Sequence, residues 1–290
     1  MIYALFIFNS FVMVACTALI KTYRKAAGKH IFGDCLFYCV NILVALLFFA
    51  SMCKFDLRVN LVTLLFSCVF ACLCYFSMFL ELRALEHTTM VNAGLFSDAG
   101  ALILSSLAGV LFFREDLRLR SVLGFVLTFA SMLVPYFAAK KSGSGLKGLF
   151  YCMLLALNSG AVRIVMKLYH TVPGCLNENL FCFYTNLVMI PFVMFMHRKL
   201  LFRAGSFKAP DKQMGKAALI AVAAVIASNV YTLLSMVLVG KVDLFFSSVF
   251  GPPLTICINF LFDVLIFRTP VKLHQIVTIA LALAAIAVTV

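Results

Sequence analysis

Charged side chains are what this sequence has least of. Asp, Glu, Lys and Arg together make up 12% of its 290 residues, against about 25% in an ordinary soluble domain. Hydrophobic residues make up 64%, where soluble domains carry about 45–50%. The two departures together exclude an ordinary soluble enzyme, and a chain this apolar does not stay solvated as a disordered one. Catalytic signatures are missing as well. No Walker A loop, HExxH or GxSxG occurs, so ATP-driven transport by this chain alone, zinc proteolysis and serine hydrolysis lack their usual parts. Gly143-Ser144-Gly145-Leu146-Lys147-Gly148 matches the dinucleotide glycine pattern, but no strand precedes it and it reads as a loop between helices. Asp and Arg occur singly inside apolar runs, not as a convergent nucleophile, base or metal set, so the chain is not read as an enzyme.

Acidic residues are the scarcer charge: 11 Asp+Glu stand against 24 Lys+Arg, a formal net charge of +13. The cations sit in short loops between apolar runs and form no stripe interleaved with exposed aromatics. They are read as loop charge beside an anionic leaflet, with no nucleic-acid partner. Eleven cysteines lie mostly inside apolar runs, and no four Cys or His residues show zinc spacing. They are read as small packing residues, and no metal or cofactor is expected.

What the sequence does have is long apolar runs, about as long as the ~20 residues that cross hydrocarbon as a helix. Ten can be marked, at about 2–20, 34–53, 61–82, 88–112, 119–138, 146–168, 178–197, 216–238, 243–267 and 272–290. They are far longer than the ~10 alternating residues of a barrel strand. The fold class expected is an all-α integral membrane protein with ten transmembrane helices. The first run lacks a basic start and leads into Lys21, Arg24 and Lys25, so it is read as an uncleaved first helix. Pro252-Pro253 removes two backbone donors and is expected to bend or break the ninth helix.

The two halves of the sequence repeat. Ile20-Lys21-Thr22-Tyr23 returns as Met166-Lys167-Leu168-Tyr169, Asn41-Ile42-Leu43-Val44 as Asn186-Leu187-Val188-Met189, and Phe112-Phe113-Arg114 as Ile266-Phe267-Arg268, always in that order. The division falls at Lys140-Lys141-Ser142-Gly143-Ser144-Gly145, giving five-helix repeats over 1–139 and 146–290. Five is an odd number, so the repeats have opposite orientation in the membrane. Inverted repeats recur in secondary transporters, with the solute site near the midplane.

The stretch from Ala84-Leu85-Glu86-His87-Thr88 through Leu111-Phe112-Phe113-Arg114-Glu115 to Gly124 resembles the EamA-type module of the drug/metabolite transporter superfamily. Members of that family place a glutamate after the fourth helix and a glycine nine residues later, as Glu115 and Gly124 stand here. The five-plus-five layout carries the resemblance over the whole chain. It implies a central cavity lined by helices 1–4 and 6–9, with helices 5 and 10 outside. The chain departs from the family at Arg268-Thr269-Pro270, where the second glutamate is missing, and in having no tryptophan.

Charge inside hydrocarbon costs at least about 2.5–3.5 kcal/mol at a helix centre, so each case needs a reason. Asp98 in the fourth run and Arg163 in the sixth are read as a solute-facing pair, or as a coupling carboxylate with its partner. The structural alternative is an ion pair that fixes packing. Asp263 is explained by local pairing with Arg268. Tyr75, Asn92, Asn158, Asn229 and Tyr231 lie on helices that line the family cavity, where amides and phenols orient a polar solute; the alternative is interhelical hydrogen bonding. The function expected is secondary transport of a small organic metabolite by alternating access, with export of an amino acid or related compound first. Multidrug efflux, nucleotide-sugar-type exchange and a membrane-embedded lipid-modifying enzyme or scaffold are the alternatives. The expected partners are a small-molecule solute and the lipid bilayer, with a homodimer left open, and the expected location is the cell membrane. Orientation stays open: the loops opposite the termini carry most of the Lys and Arg, which puts both termini outside, whereas the resemblance implies cytoplasmic termini.

Overall fold

The computed structural model of the chain describes residues 2–27, 31–87, 90–116, 119–139, 146–201, 212–265, 271 and 273–289. It has ten helices: α1 (Ile2–Ala27), α2 (Ile31–Met52), α3 (Leu61–His87), α4 (Met90–Leu111), α5 (Leu119–Ala139), α6 (Leu146–Thr171), α7 (Glu178–Leu201), α8 (Lys212–Lys241), α9 (Leu244–Leu265) and α10 (Leu273–Thr289). No strand occurs among the described residues. Every expected run is a helix, the form in which a continuous apolar segment meets its own backbone donors and acceptors. Several helices outrun their apolar cores. α1 continues past Lys21, Arg24 and Lys25, and α3 past Glu81, Arg83 and Glu86; these residues are good helix formers, so hydrophobicity does not set the helix end.

Five helices hold spans long and apolar enough to cross a membrane: Ile2–Ile20, Phe150–Thr171, Glu178–Phe195, Gly215–Lys241 and Leu244–Phe262. The other five carry apolar stretches of 10–17 residues. The chain has the build of a helical membrane protein.

The helices gather into two compact units. The first comprises Met1–Phe11, Phe76–Thr171 and Met236–Val290. The second comprises Val12–Tyr75 and Val172–Ser235. This division differs from the sequence halves, since each unit draws helices from both.

In the first unit α4 packs against α6, α9 and α5, and α10 packs against α5 and α9. Leu102, Met132, Phe245 and Val249 form one buried cluster, and Phe6, Leu238 and Phe250 another. Pro252 and Pro253 lie inside α9, which runs unbroken from Leu244 to Leu265, so the expected break does not occur. The physical reason is visible at Pro253. Its missing N–H frees the carbonyl four residues earlier, on Val249, and the Thr128 hydroxyl of α5 donates to that carbonyl at 3.1 Å. Thr128→Val keeps the shape and removes the donor; it is expected to cost about 1 kcal/mol, measured by unfolding of the purified protein. The cost should vanish in Pro253→Ala, where a backbone N–H serves Val249 instead.

In the second unit α2 packs against α7. Lys54 (φ 52°) and Phe55 (φ 59°) take the left-handed conformation just after α2. Asn60 caps α3 by accepting from the Val62 N–H at 2.8 Å, and Asn177 caps α7 by accepting from the Leu180 N–H at 2.9 Å. The two connections at this end are laced together. The Asn60 amide donates to the Gly174 carbonyl at 2.7 Å, the Leu176 N–H donates to Thr63 at 3.0 Å, and the Tyr184 hydroxyl donates to the Arg58 carbonyl at 3.2 Å. Burial raises the Cys53 thiol above its usual range, with Asp56 adding to the effect, and burial raises Cys175 as well. Both thiols stay protonated at neutral pH, in keeping with cysteine as a packing residue here.

Candidate functional site

Two glycines let α4 and α6 approach closely. A Cβ on Gly100 would overlap the backbone of Ala156, and a Cβ on Gly160 would overlap the Leu104 side chain and lie 3.0 Å from the Gly100 carbonyl oxygen. The approach brings the Ser97 and Ser159 hydroxyls to 2.6 Å. Asp98 follows Ser97 on α4, and Arg163 lies one turn beyond Ser159 on α6, so the two charges flank the crossing. Both side chains are half-buried, and both fall within apolar segments, Phe96–Leu111 and Phe150–Thr171. Among the described residues neither makes a contact ion pair. Asn158, also on α6, is buried to 5% exposure.

The remaining expected site residues are placed as follows. Tyr75, Asn229 and Tyr231 belong to the second unit. Tyr75 stacks on Phe192, with ring centroids 5.9 Å apart and planes at 23°. Asn229 is buried, and its amide donates to the Val225 carbonyl of its own helix at 2.9 Å. Tyr231 is half-buried. Asn92 lies on α4, but its side chain is outside the described residues, as are the Asp263 side chain and Arg268. Asp98 and Arg163 thus flank one close helix crossing, while one N–H of the Asn229 amide bonds within α8.

No family model matches this chain, and no curated protein does. A solved crystal structure superposes on it with a TM-score of 0.71 at 16% identity, covering 98% of this chain and 95% of the other. The two share a fold. At that identity the likeness speaks for architecture and for nothing finer.

A second charged cluster lies in the same unit, and sequence reasoning gave it no role. Arg114 (φ 52°) turns the chain after α4, and Glu115 folds back with its N–H on the Gly109 carbonyl at 3.0 Å. Its carboxylate accepts two amides at the start of α9, Leu244 N–H at 2.6 Å and Phe245 N–H at 2.7 Å. The Lys167 ammonium sits 3.7 Å from Glu115 Oε1. It donates to the carbonyls of Val242 at 2.7 Å and Val239 at 3.3 Å, at the end of α8. The anion faces the positive end of one helix dipole and the cation the negative end of the other. Glu115 and Lys167 side chains are 6% and 14% exposed. The fit leaves no room for side chains nearby: a Cβ on Gly109 would lie 2.5 Å from Glu115 Oε2 and 3.2 Å from the Phe245 nitrogen, and one on Gly240 would press on the His170 ring at 2.9 Å. The repeat that aligns Lys21 with Lys167, and the glutamate of the EamA-like motif, were the signals that marked these two positions.

Proposed function

We propose that the chain is a secondary transporter for a small organic metabolite, spanning the membrane ten times as two inverted five-helix repeats and moving its solute by alternating access. The observation that carries this reading is the placement of two opposite charges, Asp98 and Arg163, inside apolar segments on either side of the close crossing of α4 and α6. Two opposite charges kept in hydrocarbon without a contact ion pair need partners that a passing polar solute supplies. Amino-acid-like compounds come first, since a carboxylate suits Arg163 and an ammonium suits Asp98. The helix pairings lend support to the repeat. α4 packs on α9, α5 on α10 and, in the other unit, α2 on α7, each helix meeting its counterpart five places along. The proposed location is the cell membrane.

The test is solute movement into liposomes holding the purified protein, after a thermal-shift screen of metabolites has chosen the solute. Asp98→Asn and Arg163→Ala are each expected to lower uptake about 30- to 150-fold, as loss of a charge-assisted contact of roughly 2–3 kcal/mol implies, while the variants unfold cooperatively like the parent. Unaltered uptake in both folded variants would remove these residues from the site, and chemical change of the solute would replace transport by catalysis.

A further inference from the structure

The Glu115–Lys167 cluster does more than cap a helix. The four backbone hydrogen bonds made by its two side chains all end at the junction of α8 and α9, from Val239 in the last turn of α8 to Phe245 in the first turn of α9. Lys167 stands four residues beyond Arg163 on α6, and i and i+4 side chains share one helix face. One stripe of α6 thus carries Ser159, bonded to α4, Arg163 of the solute site, and Lys167, bonded to the turn. Directly inward from the turn the hydroxyls of Ser105 and Ser248 meet across α4 and α9, fully buried. Ser248 is one turn in from Leu244, and Ser105 one turn in from Gly109.

We propose that Glu115 and Lys167 form a latch that holds the α8–α9 turn against α4 and α6 and so keeps closed the end of the first unit next to the Asp98–Arg163 site. Its purpose as a gate rests on the transport reading; its existence does not. The pair suits a two-position device. Its four backbone bonds converge on the junction of two helices, so they are made or lost together as that junction moves. The two charges hydrate when it lifts, which offsets what the bonds supplied. When the latch releases, the start of α9 leaves α4, and the Ser105–Ser248 pair is the first buried contact to meet water. Because α6 carries both Arg163 and Lys167, a solute that shifts Arg163 moves the latch cation with it.

The experiment needs no solute. Ser248→Cys protein in lipid nanodiscs is treated with a charged methanethiosulfonate reagent, and modification is followed peptide by peptide so that native cysteines are read separately. Adding Glu115→Gln or Lys167→Met is expected to speed modification at position 248 about tenfold or more, as a shifted opening equilibrium would. Lys167→Arg, which keeps charge and donors, is expected to stay near the parent rate. Buried Cys182 of the second unit serves as the internal control and should keep its rate throughout. The proposal is overturned if position 248 reacts at the parent rate in both variants. It is equally overturned if Cys182 accelerates in step, which is the result a purely structural cap gives through global unfolding. Where Ser248→Cys does not fold, Ser105→Cys on the facing helix reads the same contact. Acceleration at position 248 in protein that moves no solute would keep the latch and discard the transport reading.

Discussion

Glu115→Ala is expected to destabilise the protein by about 3–5 kcal/mol, the usual cost of removing one partner of a buried charge pair. The loss is large because three groups are stranded at once. The Leu244 and Phe245 amides lose their acceptor at 2.6 and 2.7 Å, and the Lys167 ammonium, 14% exposed, loses its counter-charge at 3.7 Å. Water reaches a side chain that is 6% exposed only after the turn has moved, so the amides stay unsatisfied in the closed state. Glu115→Gln should cost less, since the amide oxygen still accepts one of the two N–H groups. Lys167→Met should also cost less, because the Val239 and Val242 carbonyls lie at a helix end where unpaired acceptors are more easily tolerated. Thermal unfolding of the purified variants gives the order directly. A Glu115→Ala protein within about 1 kcal/mol of the parent would mean that the carboxylate is an ornament of the α9 start and not its anchor.

Gly100→Val should be more damaging still, leaving little or no folded protein. The first carbon of the new side chain would coincide with the Ala156 main chain, and a main chain inside a helix does not step aside as a flexible side chain does. The two helices would have to separate, taking apart the Ser97–Ser159 hydrogen bond at the crossing that Asp98 and Arg163 flank. Overpacking typically costs about 1–3 kcal/mol where side chains can adjust, and here they cannot, so the cost should exceed that range. Gly251→Ala provides the calibration. Its new methyl group would meet nothing within 4 Å, so a folded protein close to the parent in stability is expected. Size-exclusion profiles of the solubilised variants distinguish the two outcomes. A monodisperse Gly100→Val protein would show that the α4–α6 crossing tolerates a wider spacing.

Much of the architecture was legible in the residues because a continuous apolar run of about 20 residues is too long for a strand and folds as a helix. All ten runs became helices, and their cores fall within a few residues of the marked positions. Helix ends were less legible. Lys21, Arg24 and Lys25 look like a stop, but they propagate a helix as readily as leucine does. Pro252-Pro253 looked like a break, and a break was the right expectation for an isolated helix; the Thr128 hydroxyl that serves Val249 belongs to another helix and leaves no trace in the local sequence. Asp98 and Arg163 stood out because charge in an apolar run is rare. Glu115 and Lys167 were marked only by the family-like motif and by the repeat, and received no role, because each sits at the edge of a run, where charge is ordinary. What distinguishes them is convergence on one turn, a property of three-dimensional packing. At Asn229 one amide N–H bonds the Val225 carbonyl of its own helix, a pairing that residue type alone does not reveal.

The proline pair has a mechanical consequence. In most of α9 bending requires stretching a ladder of main-chain bonds that reinforce one another. At the level of Val249 one rung is a threonine hydroxyl, attached through a single rotatable bond and tied to a different helix. Flexing the rod there asks for one side-chain rotation instead of a torn ladder, so compliance is concentrated about one turn inside the end that Glu115 grips.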